Sequence, residues 1–328
     1  MVCRATRSVL PNIGSTLEFA CADEFVNTPA ESLYLTIVVI CHEMGLQIGN
    51  TLLSLLPPYQ REITIAEYEI ILIDNGSAQP LEQRLQELSP NLRYIYISPE
   101  EASPNPAAAL NMGAGLARAP RLCLMIDGAR MLTPMVLNWG LRLMSLASEP
   151  VVEVRGWHLG PKWQPESVME GYDQETEARL LAGVRWQENG YRLWEIAAAT
   201  PQSRSGFFAR TAESNCIFMR SDLFSRIGGF DERSRAGGGG LVNLDFFSRA
   251  VAVANPVFTL LGEGTFHQVH GGAATGLAKP DLESALEIWR AESEKLGHTI
   301  APDYKFIVAG HVPRECANWL ARNVANFS

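Results

Sequence analysis

The sequence predicts an α/β protein in which a mainly parallel sheet carries helices on both faces. Short apolar runs rich in β-branched residues alternate four times with segments of helical spacing, which is typical of such a sheet. The runs are short enough to be buried strands, and we expect their crossovers to be right-handed. Ligands of these sheets bind beyond the carboxyl ends of the strands, so the functional loops should follow Cys41, Asp74, Ile97 and Asp127.

The first half of the chain supplies the clearest elements. Residues 1–32 show no sustained period and are interpreted as an irregular arm. The predicted strands are Leu33–Cys41, Tyr68–Asp74, Leu92–Ile97, Arg121–Asp127 and a fifth that starts at Val151–Val154. The predicted helices are Gly49–Leu56, which stops at Pro57-Pro58, then Leu81–Leu88, the Ala-rich Pro106–Ala119, and Pro134–Ala147.

After about residue 156 the pattern weakens. Two strands are predicted there, Gly190–Ala198 and Asn215–Arg220. The predicted helices are Glu175–Leu181, Ser221–Ile227, Asn243–Val253, the amphipathic Asp281–Leu296, and Pro313–Ala325. Ser221 is the expected N-cap of its helix and Gly228-Gly229 the expected end.

Composition excludes several classes of protein. The 328 residues correspond to about two domains, or to one large decorated domain. A net charge of −9 disfavours non-specific binding to nucleic acid or anionic lipid. No apolar run approaches the length of a membrane-spanning helix, and the N-terminus lacks the pattern of a signal peptide. The six cysteines are scattered singly, which suits a reducing cytoplasm better than a disulfide framework.

Two of the predicted strands end in an aspartate where a ligand is expected. Asp74 opens a D-N-G-S segment, and its carboxylate could accept hydrogen bonds from a nucleobase or a ribose. Asp127 opens the D-G-A-R segment, and its carboxylate could hold Mg²⁺ or Mn²⁺ and thereby a diphosphate. Both segments are also good turn sequences, so a purely structural role stays open for each.

The order of these segments resembles the family 2 glycosyltransferases, which have the GT-A fold. The resemblance extends from about Leu33 to about Gly272. The matching segments are, in chain order, the helix Asn50–Leu56, Asp74–Ser77, the N-x-G of Asn111–Gly113, the strand ending at Asp127, and the G-G-F-D-E of Gly228–Glu232. The resemblance implies a GT-A domain at residues 33–275, between the arm at 1–32 and a C-terminal helical extension at 276–328.

The resemblance also implies a function and a set of site residues. A nucleotide-sugar donor and a saccharide or surface-glycan acceptor would be the substrates, and transfer would proceed with inversion. Glu43, Asp74 and Asn111 would contact the base and ribose, and Asp127 the diphosphate and its Mn²⁺ or Mg²⁺. Within F-H-Q-V-H-G-G, His267 is the expected second metal ligand.

Three positions depart from the family pattern. The first loop reads Cys41-His42-Glu43-Met44, so its base contacts must differ, and Ala129 has replaced the second carboxylate of D-x-D. The family's E-D-x-D segment begins Val242-Asn243 here, and an amide cannot accept a proton at pH 7.

Asp245 and Glu213 are therefore the candidate bases. On an ideal helix Asp245 points about 200° away from Asn243, whereas Glu213 lies on a different segment and has no such restriction. The run Gly237–Gly240 could approach a ligand closely or form a mobile loop, and Trp157, Trp163 and Trp186 could contact sugar rings or belong to the core.

Two other functions remain open at this stage. The altered motifs are compatible with a nucleotide-sugar-binding subunit or sensor that has lost catalysis. A nucleotidyltransferase is a third hypothesis, but the Gly-rich, basic loop that such an enzyme should have after the first strand is missing. The sugar, the nucleotide, the acceptor and the oligomeric state do not follow from the sequence.

Overall fold

The computed structural model describes residues 33–239, 241–271, 279–299 and 302–323. The predicted arm and the predicted boundary near residue 275 lie outside these ranges. The strands are β1 (Leu35–Cys41), β2 (Tyr68–Asn75), β3 (Leu92–Ile97), β4 (Arg121–Met125), β5 (Arg130–Leu132), β6 (Val151–Glu153), β7 (Gly156–Leu159), β8 (Ala197–Ala198), β9 (Cys216–Arg220), β10 (Val257–Leu261), β11 (Thr265–His267) and β12 (Phe306–Gly310). The helices are α1 (Gln47–Leu55), α2 (Gln83–Gln86), α3 (Ala107–Gly115), α4 (Val136–Met144), α5 (Gln164–Met169), α6 (Gln174–Val184), α7 (Ser221–Arg226), α8 (Val242–Val253), α9 (Lys279–Leu296) and α10 (Arg314–Asn323).

The larger sheet has the strand order β12-β10-β6-β9-β4-β1-β2-β3 within the described residues. All neighbours are parallel except β9, which runs antiparallel to both β4 and β6. The sheet is therefore mixed. Cys41 pairs with Asp74 and Val39 pairs with Met125, so β1, β2 and β4 end at the same edge.

A smaller sheet, in the order β5-β11-β7-β8, lies beside that edge. Its register sets His267 opposite Arg130 on one side and opposite His158 on the other. Strands of three or four residues are too short to show a period of two. The sequence pattern therefore did not predict β5, β7 or β11.

Apolar side chains pack on both faces of the larger sheet. Ile37 and Val39 face α1 and α4, whereas Val38 and Ile40 face α3 and α8, as alternation along a strand requires. A third cluster, rich in aromatic rings, lies against the smaller sheet and includes Trp157, Trp194, Phe207, Phe266 and Trp319. The mixed α/β architecture predicted from the sequence is confirmed.

Two local predictions were wrong. Residues 190–196 form a 3₁₀ helix instead of a strand, and only Ala197–Ala198 are extended. The Asn189 side chain accepts a hydrogen bond from the Tyr191 backbone N–H and starts that helix. Ser221 is the first residue of α7 instead of its cap, and its hydroxyl donates to the carbonyl of Pro120.

The end of the chain joins the main body. β12 pairs with β10, and Cys316 and Trp319 of α10 are buried in the aromatic cluster. Across the described ranges, the structure contains no helix that combines the length and apolar character needed to cross a bilayer.

Candidate functional site

A cleft of about 1210 Å³ lies at the shared edge where β1, β2 and β4 end. Its walls come from loops of both sheets and from helices α8 and α9. The polar residues of the lining that matter below are His42, Glu43, Asn75, Asp127, Arg130, Arg155, His158, Glu213, Asn215, Asn243 and His270.

Three potential metal ligands converge at the cleft: Asp127 and His270 belong to its lining, and His267 is buried beside them. Each of Asp127, His267 and His270 offers an atom, and these atoms lie within 4.8 Å of one another. Asp127 Oδ2 is 2.8 Å from His267 Nε2, which is in turn 3.2 Å from His270 Nε2. The smaller sheet makes this arrangement, because β11 carries His267 beside the segment that leads from β4 to β5.

Gln164 orients the His267 ring. Its amide Nε2–H donates to the His267 carbonyl at 2.9 Å, which places Gln164 Oε1 2.6 Å from His267 Nδ1. In the neutral ring Nδ1–H then donates to that oxygen, and the lone pair of Nε2 faces the carboxylate of Asp127. A carboxylate oxygen and two imidazole nitrogens turned toward one another repel unless a cation lies between them, so the donor set fits a metal ion.

The protonation states suit metal binding as well. Burial lowers the pKa of His267 to about 4 and also lowers the pKa of His270. Burial opposes ionisation of Asp127, but His267, Arg130 and His270 outweigh it and hold the carboxyl pKa well below its usual range. At neutral pH the group is therefore one carboxylate and two neutral imidazoles, the forms that bind a metal.

Glu213 contributes a carboxylate to the cleft lining. It accepts a hydrogen bond from Asn243 Nδ2 at 2.7 Å, and the same amide contacts Asn215 Oδ1 at 3.3 Å. Burial raises the pKa of Glu213, against the opposing effect of Arg130. The amide at the position of the family's carboxylate thus contacts a carboxylate from another segment.

Asp245, the other candidate base, lies outside the cleft lining. Its carboxylate is 4% exposed and forms an ion pair with Arg249 at 2.7 Å, one turn further along α8. It also accepts a hydrogen bond from the Thr299 backbone N–H at 3.3 Å. Helix α8 is regular at this point and turns Asp245 away from Asn243.

The three residues predicted to bind the donor base and ribose, Glu43, Asp74 and Asn111, lie in different environments. Glu43 lines the cleft beside His42, accepting a hydrogen bond from the Ala78 backbone N–H. Asp74 is completely buried, and its carboxylate accepts hydrogen bonds from the hydroxyl groups of Ser77 at 2.5 Å and Tyr94 at 3.0 Å. It shapes the loop whose next residues, Asn75 and Gly76, line the cleft.

Asn111 also lies outside the cleft lining. Its amide donates to the Phe230 carbonyl and to Glu232, and its Oδ1 accepts from the Phe230 backbone N–H. The N-x-G and G-G-F-D-E segments therefore contact each other and hold α3 against the loop after α7.

The tryptophans divide between core and cleft. Trp157 and Trp186 are buried in the aromatic cluster, whereas Trp163 and Trp289 line the cleft from the start of α5 and from α9. Of the Gly237–Gly240 run, Gly237 and Gly238 line the cleft, and Gly240 is outside the described residues. Sequence reasoning missed Trp289 and Arg155 as residues of the cleft, because their neighbours there are distant in the chain.

Comparison with known proteins agrees with this geometry. Residues 36–128 match the family described as Glycosyl transferase family 2, which confirms the family resemblance inferred from the sequence. No curated protein matches the sequence.

The likeness to solved structures covers a larger part of the chain than the family match does. TarS 1–349 from S. aureus, in complex with UDP-GlcNAc, has a TM-score of 0.51 and 15% identity, over 90% of this chain and 71% of that one. This likeness shows the shared GT-A fold. The longer TarS structure gives a TM-score of 0.48 at 15% identity over 90% of this chain, and this chain spans only 43% of it. A mannosyltransferase from Pyrobaculum calidifontis, in complex with GDP-Man and Mn²⁺, gives 0.49 at 13% identity over 89% of this chain and 70% of that one.

Proposed function

We propose that this chain, whose residues 36–128 match glycosyl transferase family 2, moves a sugar from a nucleotide-diphosphate donor to a saccharide acceptor with inversion. The observation that carries the proposal is the convergence of Asp127, His267 and His270, of which Asp127 and His270 line the same cleft as Glu213. A cation site supports binding of a diphosphate, and a buried carboxylate of raised pKa supports proton transfer.

The edge formed by β1 and β2 would receive the nucleoside. His42, Glu43, Asn75 and Gly76 line this part of the cleft and offer polar groups for a base and a ribose. Asp74 would act through this loop, which its hydrogen bonds to Ser77 and Tyr94 hold in place.

Asp127, His267 and His270 would hold the metal. Nitrogen ligands favour Mn²⁺ over Mg²⁺, which prefers oxygen. When bound, the cation supplies charge neutralisation for the departing nucleoside diphosphate.

Glu213 would be the base. It would take the proton of the acceptor hydroxyl while that oxygen bonds to the anomeric carbon, and the bond between that carbon and the phosphate oxygen breaks. Asn243 holds the carboxylate in position through the 2.7 Å hydrogen bond. Trp163 and Trp289, half-buried in the cleft lining, offer apolar ring faces to a saccharide acceptor.

The test measures nucleoside diphosphate release from a panel of UDP-GlcNAc, other UDP-sugars and GDP-Man, with Mn²⁺. We expect Glu213→Gln to lower turnover by about 10²–10⁴-fold with donor affinity unchanged. Glu195→Gln, which alters an exposed partner of Arg192, serves as the matched control and should keep full turnover.

Two results would count against the proposal. Unchanged turnover in Glu213→Gln would remove that residue as base. Tight donor binding by the wild-type protein without hydrolysis or transfer to any acceptor would favour a catalytically inactive nucleotide-sugar-binding subunit or sensor, consistent with Asn243 at the family's base position.

A further inference from the structure

Arg130 lines the cleft with a guanidinium group that is largely buried. Arg130 is only 7% exposed, yet within the described part of the chain no atom accepts a hydrogen bond from its buried Nε. Its nearest opposite charge is Asp127 Oδ2, 3.5 Å from Nε. A buried guanidinium with unmade hydrogen bonds is unfavourable unless another partner completes them.

The backbone leaves room for this side chain. A Cβ on Gly156 would lie 2.9 Å from Arg130 Nη1, so any larger residue at the start of β7 would displace the guanidinium. Arg130 also pairs with His267 across β5 and β11, and it lines the cleft together with His270 and Glu213. The smaller sheet therefore fixes the arginine beside the metal ligands.

Another arginine of the cleft is held differently. Arg155, 3% exposed, forms an ion pair with Glu153 at 3.0 Å and donates to the Ala209 carbonyl. The charge of Arg155 is thus compensated within the fold, although within the described residues its buried Nε and Nη1 also have no hydrogen-bond partner. The charge of Arg130 is shared with Asp127, the carboxylate that the metal would also use.

This sharing has an electrostatic consequence. A cation held near the guanidinium is repelled by it, so metal alone should bind weakly. With a divalent ion present, Arg130 and Asp127 cancel and the site carries a net charge of about +2, which favours a diphosphate.

We propose that Arg130 binds a phosphate oxygen of the diphosphate, and that the metal and the diphosphate bind cooperatively because each offsets a repulsion that the other meets alone. This inference rests on the proposed function for the identity of the natural ligand, but its physical content concerns Mn²⁺ and pyrophosphate only.

The experiment titrates the full chain with Mn²⁺ alone, with pyrophosphate alone, and with each in the presence of the other, by calorimetry and by Mn²⁺ electron paramagnetic resonance. In the wild-type protein we expect each ligand to strengthen binding of the other by about tenfold or more, a coupling of about 1.4 kcal/mol. In Arg130→Gln we expect Mn²⁺ alone to bind several-fold tighter, and pyrophosphate with Mn²⁺ to bind about tenfold weaker.

Tighter Mn²⁺ binding together with weaker pyrophosphate binding would indicate that Arg130 contacts the ligand, since a purely structural role would change both affinities in the same direction. Arg179→Gln, at an exposed arginine of α6 that pairs with Glu175 and lies outside the cleft lining, is the matched control and should change neither affinity by more than about twofold. Gly156→Ala keeps the arginine but displaces Nη1, so it should weaken pyrophosphate binding and provides a second variant if Arg130→Gln does not fold.

Unchanged affinities in Arg130→Gln and Gly156→Ala, or an equal loss for both ligands, would overturn the inference. If the pyrophosphate results agree but no nucleotide sugar binds, the proposed function fails and the inference stands. If nucleotide sugars bind and turn over while Arg130→Gln changes nothing, the inference fails and the function stands.

Discussion

Ala129 occupies the position of the second carboxylate in the family's D-x-D pattern. Its side chain is fully buried in the apolar cluster beneath the sheet, and its backbone N–H donates to Asp127 Oδ1 at 3.0 Å. A Cβ on the preceding Gly128 would meet the Ile40 carbonyl oxygen at 2.6 Å, so the turn is packed tightly against β1. A second metal ligand would therefore come from β11, which carries His267, and not from this turn.

An aspartate at position 129, as in the family's D-x-D pattern, should therefore not strengthen metal binding. We expect Ala129→Asp to lower the free energy of unfolding by at least about 2 kcal/mol, because it buries a carboxylate among apolar side chains. Mn²⁺ affinity should not rise. Urea denaturation and a Mn²⁺ titration check both parts, and a stable variant that binds Mn²⁺ more tightly would contradict this account.

Asp127 contributes the only carboxylate of the three convergent ligands. Asp127→Asn keeps the shape but removes the charge, so we expect Mn²⁺ affinity and sugar transfer to fall by about tenfold or more. Asp245→Asn, whose carboxylate pairs with Arg249 outside the cleft, should retain Mn²⁺ binding. Full turnover of the wild-type protein in excess EDTA would instead indicate catalysis without a metal.

Among the contacts between elements, Glu177 connects α6 to the segment that follows β11. Its carboxylate accepts hydrogen bonds from the Val269 backbone N–H at 2.8 Å and from the Tyr172 hydroxyl at 3.0 Å. Val269 lies between His267 and His270. Burial raises the pKa of Glu177 from its usual 4.5 to about 8.

This raised pKa makes stability depend on pH. Between about pH 4.5 and 8 the folded protein keeps a proton that the unfolded chain releases, so the contribution of Glu177 to stability falls as pH rises. Each pKa unit corresponds to about 1.4 kcal/mol, so Glu177→Gln should stabilise the fold at pH 8 and flatten the pH profile. Urea unfolding from pH 4 to 9 measures this.

A matched control lies on the same helix. Glu175 is exposed and pairs with Arg179 at 3.0 Å, so Glu175→Gln should leave the profile unchanged. A Glu177→Gln variant with the wild-type slope between pH 5 and 8 would show that Glu177 is ionised in the folded protein.

At the scale of the whole molecule, the C-terminal segment is part of the core. Trp319 is 1% exposed, contacts the rings of Trp157 and Trp194, and donates from Nε1 to the Ala197 carbonyl at 2.8 Å. The segment predicted as a helical extension therefore also contains β12 and completes the aromatic cluster.

We expect Trp319→Ala to lower the free energy of unfolding by about 3–5 kcal/mol through loss of buried area and the cavity left behind. Trp289→Ala, at a half-buried ring of the cleft, should cost far less stability and should weaken acceptor binding instead. Chemical denaturation of both variants provides the comparison. Equal losses would show that Trp289 is also a core residue.

Local sequence patterns predict strands β1 to β4 and helices α1, α3 and α4, because strands of five to eight residues and helices of nine are long enough to show their period. They also located Asp127 and His267, since a carboxylate after a strand and a histidine pair are recognisable locally. Because an amide at position 243 cannot act as the base, Asp245 and Glu213 were the two candidates, and of these Glu213 lines the cleft.

The contacts between these residues and their neighbours in the cleft follow only from the folded structure. The strands β5, β7 and β11 are too short to leave a pattern, yet their register brings Arg130 and His158 beside His267. Likewise, Asn243 reaches Glu213 across 30 residues of sequence. Contacts between distant segments are set by packing and long-range hydrogen bonds, and the local periodicity of a sequence carries no record of them.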